Sequence, residues 1–243
     1  MKHTRHTWTR PSGTTYTLFE SALEQCHLLI AGATGSGKSV FLNGMISTAL
    51  YDAPGDNLGC KNFIFCDQKG VELMDYQYLP HTLRYAVDTK NVRSAFKFAL
   101  NLVEKRFREM SRRRLKKWGG GDVYLVIDEF ADTAITCGRS LYPTIQRIAQ
   151  LGRAARVHIV LCTQVPNAKI LPTEIRCNFV SRIGLRTASR VESRILYDDI
   201  DLSALPHFGQ CVFRSEDGST AKYNVPYIRQ PEIDRLTQWW AAQ

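Results

Sequence analysis

The sequence predicts an α/β fold, a mostly parallel central sheet flanked by helices, from three observations. Short apolar runs alternate with longer amphipathic patterns, which is how strands joined by crossover helices read. No internal repeat or low-complexity segment interrupts them. A strand, a glycine-rich turn and a helix follow one another in "HLLIAGATGSGKSVFLNGMI", residues 27–46. At 243 residues, 44% hydrophobic and 23% charged, the chain is long enough to bury a sizeable core.

Taken in order, "TWTRPSGTTYTL" (residues 7–18) alternates threonine and aromatic residues around a Pro-Ser-Gly turn and predicts an N-terminal β-hairpin. Residues 1–20 are therefore expected as an extension and residues 21–243 as the main domain. Strands are expected at residues 28–31, 62–66, 123–127, 157–162 and 180–185, with a late pair near 210–213 and 221–227. A long helix is expected over residues 91–118, because Val92, Phe96, Ala99, Val103, Phe107 and Met110 recur at helical spacing while the opposite face is basic. The stretch "APGDNLG" (residues 53–59) is the strongest break signal and too weak to divide the chain.

Composition narrows the function. A formal charge of +9 favours polyanionic partners such as nucleic acid. Seven cysteines, with no C-x-x-C pair and several inside apolar runs, argue against a disulfide framework or a zinc site and for a reducing compartment. No window approaches the length of a membrane span, so a soluble, cytoplasmic chain without membrane insertion is expected.

The glycine-rich turn carries the chemistry. Gly32, Ala33, Thr34, Gly35, Ser36, Gly37, Lys38 and Ser39 match G-x-x-x-x-G-K-[ST], and Val40 continues into the helix. Backbone N–H groups there converge on a β-phosphate, Lys38 reaches β and γ oxygens, and the Ser39 hydroxyl ligates Mg²⁺. ATP is the expected ligand. "VYLVIDEF" ends an apolar strand in an acidic pair, with Asp128 for the Mg²⁺ shell and Glu129 to orient or deprotonate water, a pairing suited to hydrolysis. "VHIVLCTQ" ends in Thr163 and Gln164, where Gln164 either senses the γ-phosphate or is an ordinary strand-end amide.

These motifs come in a recognisable order. "HLLIAGATGSGKSVFLN", "FCDQKGVEL", "YLPH", "LVIDEFAD", "LGRAARVHIVLCTQVP" and "SRIGLRTASRVESRIL" together resemble the FtsK/SpoIIIE motor domain, within the HerA-FtsK group of RecA-like P-loop ATPases. The resemblance runs from about residue 20 to the C-terminus. It implies a homohexameric ring that hydrolyses ATP between subunits and draws double-stranded DNA through its pore. It gives the phosphate lysine as Lys38, the magnesium serine as Ser39, the acidic pair as Asp128 and Glu129, and the polar sensor as Gln164. It also makes Arg153 the finger inserted into the neighbour's ATP site, with Arg156 a second candidate, and matches Arg194 to a family position of undefined role. Both arginines near 153 also suit a plain helix end.

The resemblance matches "ADTAITCGRSLYP" (residues 131–143) to a pore loop, with Arg139 as a phosphate contact. In "SRRRLKKWGGGD", residues Arg112, Arg113, Arg114, Lys116 and Lys117 either face DNA phosphates or form a solvated basic helix end. Familiar members add a membrane-spanning region and a winged-helix reader, which this sequence does not contain. That departure suggests a compact motor of a plasmid, phage or mobile element, with a membrane, relaxase or capsid partner. Two other readings stay open at this stage: a related motor that moves protein, like the type VII secretion ATPases, and an ATP-gated DNA-binding adaptor that scarcely turns over.

Overall fold

The computed structural model describes residues 16–51 and 61–242. In chain order the elements are α1 (Tyr16–Leu23), β1 (Leu28–Ala31), α2 (Lys38–Tyr51), β2 (Lys61–Cys66), β3 (Thr82–Ala86), α3 (Thr89–Arg113), β4 (Asp122–Ile127) and α4 (Phe130–Cys137). They continue with α5 (Tyr142–Ala155), β5 (Val157–Thr163), α6 (Thr173–Arg176), β6 (Ser181–Gly184), α7 (Arg190–Leu196), β7 (Gln210–Arg214), β8 (Thr220–Asn224) and α8 (Gln230–Ala241).

The strands form one sheet in the order β3-β2-β4-β5-β1-β6-β7-β8. All pairings from β3 through β6 are parallel, and β7 and β8 add an antiparallel hairpin. β1 is central, with Leu28 opposite Val160 of β5 and Ser181 of β6. Every residue of β1 and β5 is buried, as the continuous apolar runs "LLIA" and "VHIVLC" require of strands covered on both faces. Alternation then divides the core: Leu29 and Ala31 join the layer under α3, α4 and α5, while Leu28 and Ile30 join the layer under α1, α2 and α8. No helix of the described residues is long and apolar enough to cross a membrane.

Four expectations need correction. Most of the N-terminal hairpin lies outside the described residues, but Tyr16, Thr17 and Leu18 are helical rather than extended, and the expected boundary after residue 20 falls inside α1. Leu18, Phe19, Ala22 and Leu23 form a buried helical face, and Phe19 meets Phe41 of α2 edge-on at 5.3 Å. That packing outweighs the strand preference of the alternating threonines. The long helix stops at Arg113, since Arg114 takes a left-handed conformation and its N–H caps Met110 and Ser111 carbonyls, so residues 115–118 leave the helix. β3 was not expected, because this edge strand, interrupted by Thr82 and Arg84, has no apolar run. The late strand expected at 221–227 ends at Asn224 and lies exposed along its length. The 53–59 stretch lies outside the described residues.

Candidate active site

The glycine-rich turn leaves the carboxyl end of β1 and is held by both neighbouring strands: Gly32 N–H donates to Thr163 O at 3.2 Å and Ala33 N–H to Arg186 O at 2.8 Å. Gly35 and Gly37 have φ of 78° and 97°, a region that side chains disfavour and that turns the loop's amides inward. α2 opens directly at Lys38, so its unpaired first-turn N–H groups and its dipole face the same hollow. The Ser36 hydroxyl is buried there with no partner among the described residues. A cradle of free amides around an orphaned hydroxyl fits a phosphate chain.

Lys38 is buried, and its Nζ lies 3.2 Å from Asp128 Oδ1 and 3.1 Å from Asp128 O. Burial opposes the ammonium charge, yet Cys162, Asp128 and Glu129 together hold its pKa above the ordinary lysine value. Burial also pushes Asp128 above the usual carboxylate range, with Glu72 and Asp67 adding to the shift against Lys38. Burial leads the Asp128 shift, and the acidic neighbours that add to it leave an excess of negative charge around a single cation. A divalent ion bound by Ser39 and Asp128 fits that excess.

Glu129 caps α4 and is fully engaged. Its Oε1 accepts from Thr163 Oγ1 at 2.8 Å and Ala131 N–H at 3.1 Å, and its Oε2 accepts from Gln164 N–H at 2.8 Å. Gln164 Oε1 in turn accepts the Thr34 hydroxyl at 2.8 Å. The phosphate loop is thus linked through Gln164 to Glu129, although β5 carries the first and β4 the second. Thr34 and Gln164 open on a cavity of about 510 Å³ whose lining also includes Gly35, Gly37, Lys38, Ser39 and Val40. Glu72, Phe208, Val225 and Tyr227 complete it, and sequence reasoning missed all four. Phe208 and Tyr227 are each 73% exposed, from the segments that flank the β7–β8 hairpin. Only the glycine after Phe208, with a φ of 84°, marked a special turn there.

Arg153 is not in this site. It sits on the last turn of α5, beside the amino end of β5, so the seven residues of that strand separate it from Gln164 by roughly 20 Å. It is paired with Glu216 from the β7–β8 turn. Arg156 takes the left-handed cap of α5 and is committed to Asp122, which also bonds His158 Nε2 at 2.8 Å. Burial would raise the Asp122 pKa, but the bonds from His158 and Arg156 hold it far below the carboxylate range. Lys116, Lys117, Arg153, Arg156 and Glu216 line a second cavity of about 840 Å³ at this end of the sheet.

The basic residues form two groups. Arg112 and Arg113 pair with Glu109 at the end of α3, beside Arg114. Arg139 is exposed in the turn after α4, next to Ser140, whose hydroxyl accepts from Arg93 at 2.9 Å. Arg93 and Arg112 are 19 residues apart on α3, so the groups are separated by about 28 Å.

A central parallel strand feeding this loop, with an acidic strand end two positions away, defines a P-loop ATPase fold. The chain matches the FtsK/SpoIIIE family model over residues 8–124. It is 33% identical over 238 residues to the DNA translocase FtsK of Chlorobaculum tepidum, covering 89% of this chain and 29% of that protein. It therefore spans about a third of the length of such curated relatives. Among solved structures, the cytoplasmic domain of the Thermomonospora curvata type VII secretion ATPase EccC superposes with a TM-score of 0.75 at 21% identity, over 89% of this chain and 28% of that one. The pCW3 conjugation coupling protein TcpA, in its monomer form with ATPγS, gives 0.75 at 22% identity over 90% of this chain and 66% of its own. Those two likenesses are likenesses of fold.

Proposed function

We propose that this chain is an ATP-hydrolysing motor domain that moves double-stranded DNA as part of a homohexameric ring. The observation that carries the reading is the convergence of Thr34, Lys38, Asp128, Glu129 and Gln164 on one phosphate cradle. Lys38 exchanges its Asp128 contact for the β and γ oxygens of ATP, and Phe208 and Tyr227 take the base between their rings. Ser39 and Asp128 would hold Mg²⁺, which would supply neutralisation of phosphate charge. Glu129 gives up one of its present donors to orient and deprotonate the attacking water. Gln164 trades the Thr34 hydroxyl for the γ-phosphate, and its backbone N–H transmits the change to Glu129.

Arg153 acts in trans on this reading. It lies at the amino end of the sheet and the cradle at the carboxyl end, so one protomer's finger reaches a nucleotide only by head-to-tail contact with the next, the kind of contact that closes into a ring. Arg139 and the 112–117 group are proposed as DNA contacts, in support of which stand their exposure and the net charge of +9.

The test is steady-state ATP hydrolysis with and without long duplex DNA, at low and moderate salt, with Glu129→Gln as the blank. Several-fold stimulation by duplex that weakens with salt is expected. Turnover indifferent to DNA would overturn the DNA reading in favour of a protein-moving ATPase, and no turnover above the blank would overturn hydrolysis in favour of an adaptor.

A further inference from the structure

The Arg153 side chain is 69% exposed, and a long cation in that position ordinarily samples many rotamers. Here Glu216 engages its Nη2, and no other protein group among the described residues takes the remaining guanidinium donors. Glu216 is itself fixed from outside its own turn. Its Oε1 accepts the Cys26 N–H at 2.7 Å, and its backbone N–H donates to Gln25 Oε1 at 3.0 Å. Gln25 is secured by its own Nε2–H to Ser21 O at 2.8 Å and by the Ser181 hydroxyl at 2.8 Å. The α1–β1 junction, β6 and the β7–β8 turn thus combine to hold one carboxylate still beneath one exposed arginine.

Fold stability gives little reason for such an arrangement, because exposed ion pairs contribute almost nothing. Positioning gives a better one. A guanidinium gripped at one nitrogen keeps its other N–H groups for a second anion, and orienting it in advance removes an entropic cost from the reacting complex. The hairpin that carries Glu216 at one end carries Phe208 and Val225 at the other, in the wall of the same protomer's nucleotide cavity. The hairpin therefore spans the sheet between the two functional ends.

We propose that Glu216 is a positioning residue that holds the Arg153 guanidinium extended from the amino end of the sheet, aimed at the γ-phosphate in a neighbouring protomer. The inference rests on the reading of Arg153 as a trans-acting finger. Glu216 touches neither substrate nor the reacting atoms, and its effect passes through Arg153.

The experiment measures DNA-stimulated ATP hydrolysis by the full chain. Glu216→Gln keeps an acceptor for the Cys26 N–H but loses the charge, and is expected to lower kcat about tenfold with KM for ATP within twofold and the thermal midpoint unchanged. Glu216→Asp is expected to retain at least half of the wild-type kcat, a rescue that also serves if the glutamine variant folds poorly. Mixing Glu216→Gln with Lys38→Ala protomers, whose fingers are intact, is expected to raise turnover several-fold above the sum of the two alone. Arg153→Ala is carried through the same mixtures. If Arg153→Ala turns over like wild type, the finger reading fails and this inference falls with it. If Arg153→Ala is inactive and rescued by mixing, while Glu216→Gln turns over like wild type or is not rescued, the positioning role is overturned and the finger stands.

Discussion

The carboxyl and amino ends of the parallel sheet handle charge in opposite ways. At the carboxyl end Lys38 faces Asp128 with Glu129, Glu72 and Asp67 close by, and the Ser36 hydroxyl is buried without a partner among the described residues. At the amino end Asp122 is held by Arg156 and His158, Arg153 by Glu216, and His27 bridges the backbone of β5 and α5. One end leaves charge and hydrogen-bonding capacity to be completed by something that binds, whereas the other spends its polar groups on rigidity. Substitutions at the first should therefore appear in turnover, and those at the second mainly in stability, with Arg153 and Glu216 the exceptions.

The largest expected effect is at the carboxyl end. Glu129→Gln should lower kcat by on the order of 10² to 10⁴ while a non-hydrolysable ATP analogue still binds, which calorimetry can check. Lost binding would mean that the residue holds the site together rather than performing chemistry.

Gly152→Ala probes the rigid end. A Cβ there would meet Val157 O at 2.2 Å and His27 Cε1 at 2.7 Å, so α5 lies on β5 and His27 only because this position lacks a side chain. A loss of about 2–3 kcal/mol in unfolding free energy is expected, read by denaturant titration, with the ATP KM little changed. A shift in KM without a loss of stability would break the division between the two ends.

His27 gives a pH signature. Its Nδ1 accepts the Ile159 N–H at 2.8 Å and its Nε2 lies 3.0 Å from Ala149 O, so it is neutral with Nε2–H donating. Burial, with His158 adding to it, lowers its pKa from 6.5 to about 3. Below 6.5 the unfolded chain takes up a proton that the folded chain refuses, so stability falls with pH from 6.5 toward 3 and is unaffected above that window. About 1–2 kcal/mol should be lost between pH 6.5 and pH 5, and His27→Gln should flatten that slope.

The smallest effect returns to the nucleotide cavity. Phe208→Ala should raise the ATP KM about three- to tenfold with kcat nearly constant, as the loss of one stacking face would.

The contrast between the ends also separates what the sequence made legible from what it did not. The phosphate loop and the acidic pair were readable because each is a local event, a turn or strand end whose neighbours in sequence are its neighbours in space. Gln164 was readable as a strand tip, but its bond to Thr34 required β5 to lie beside β1. Phe208 and Tyr227 were invisible, since they reach the cavity from more than 160 residues beyond the loop. Arg156 stayed a candidate finger in the sequence because Asp122, its actual partner, is 34 residues away. α1 was misread since its apolar face is set by packing on α2, a contact that the local alternation does not encode.

The central claim is that each active site is completed by the neighbouring protomer, and ATP turnover per protomer against protein concentration, in saturating duplex DNA, tests it most directly. Specific activity should rise steeply over the range where rings assemble and then level off, and mixing Arg153→Ala with Lys38→Ala protomers should raise turnover several-fold above the sum of the two alone. Specific activity constant at every concentration, and mixtures that give no more than the sum of their parts, would contradict it.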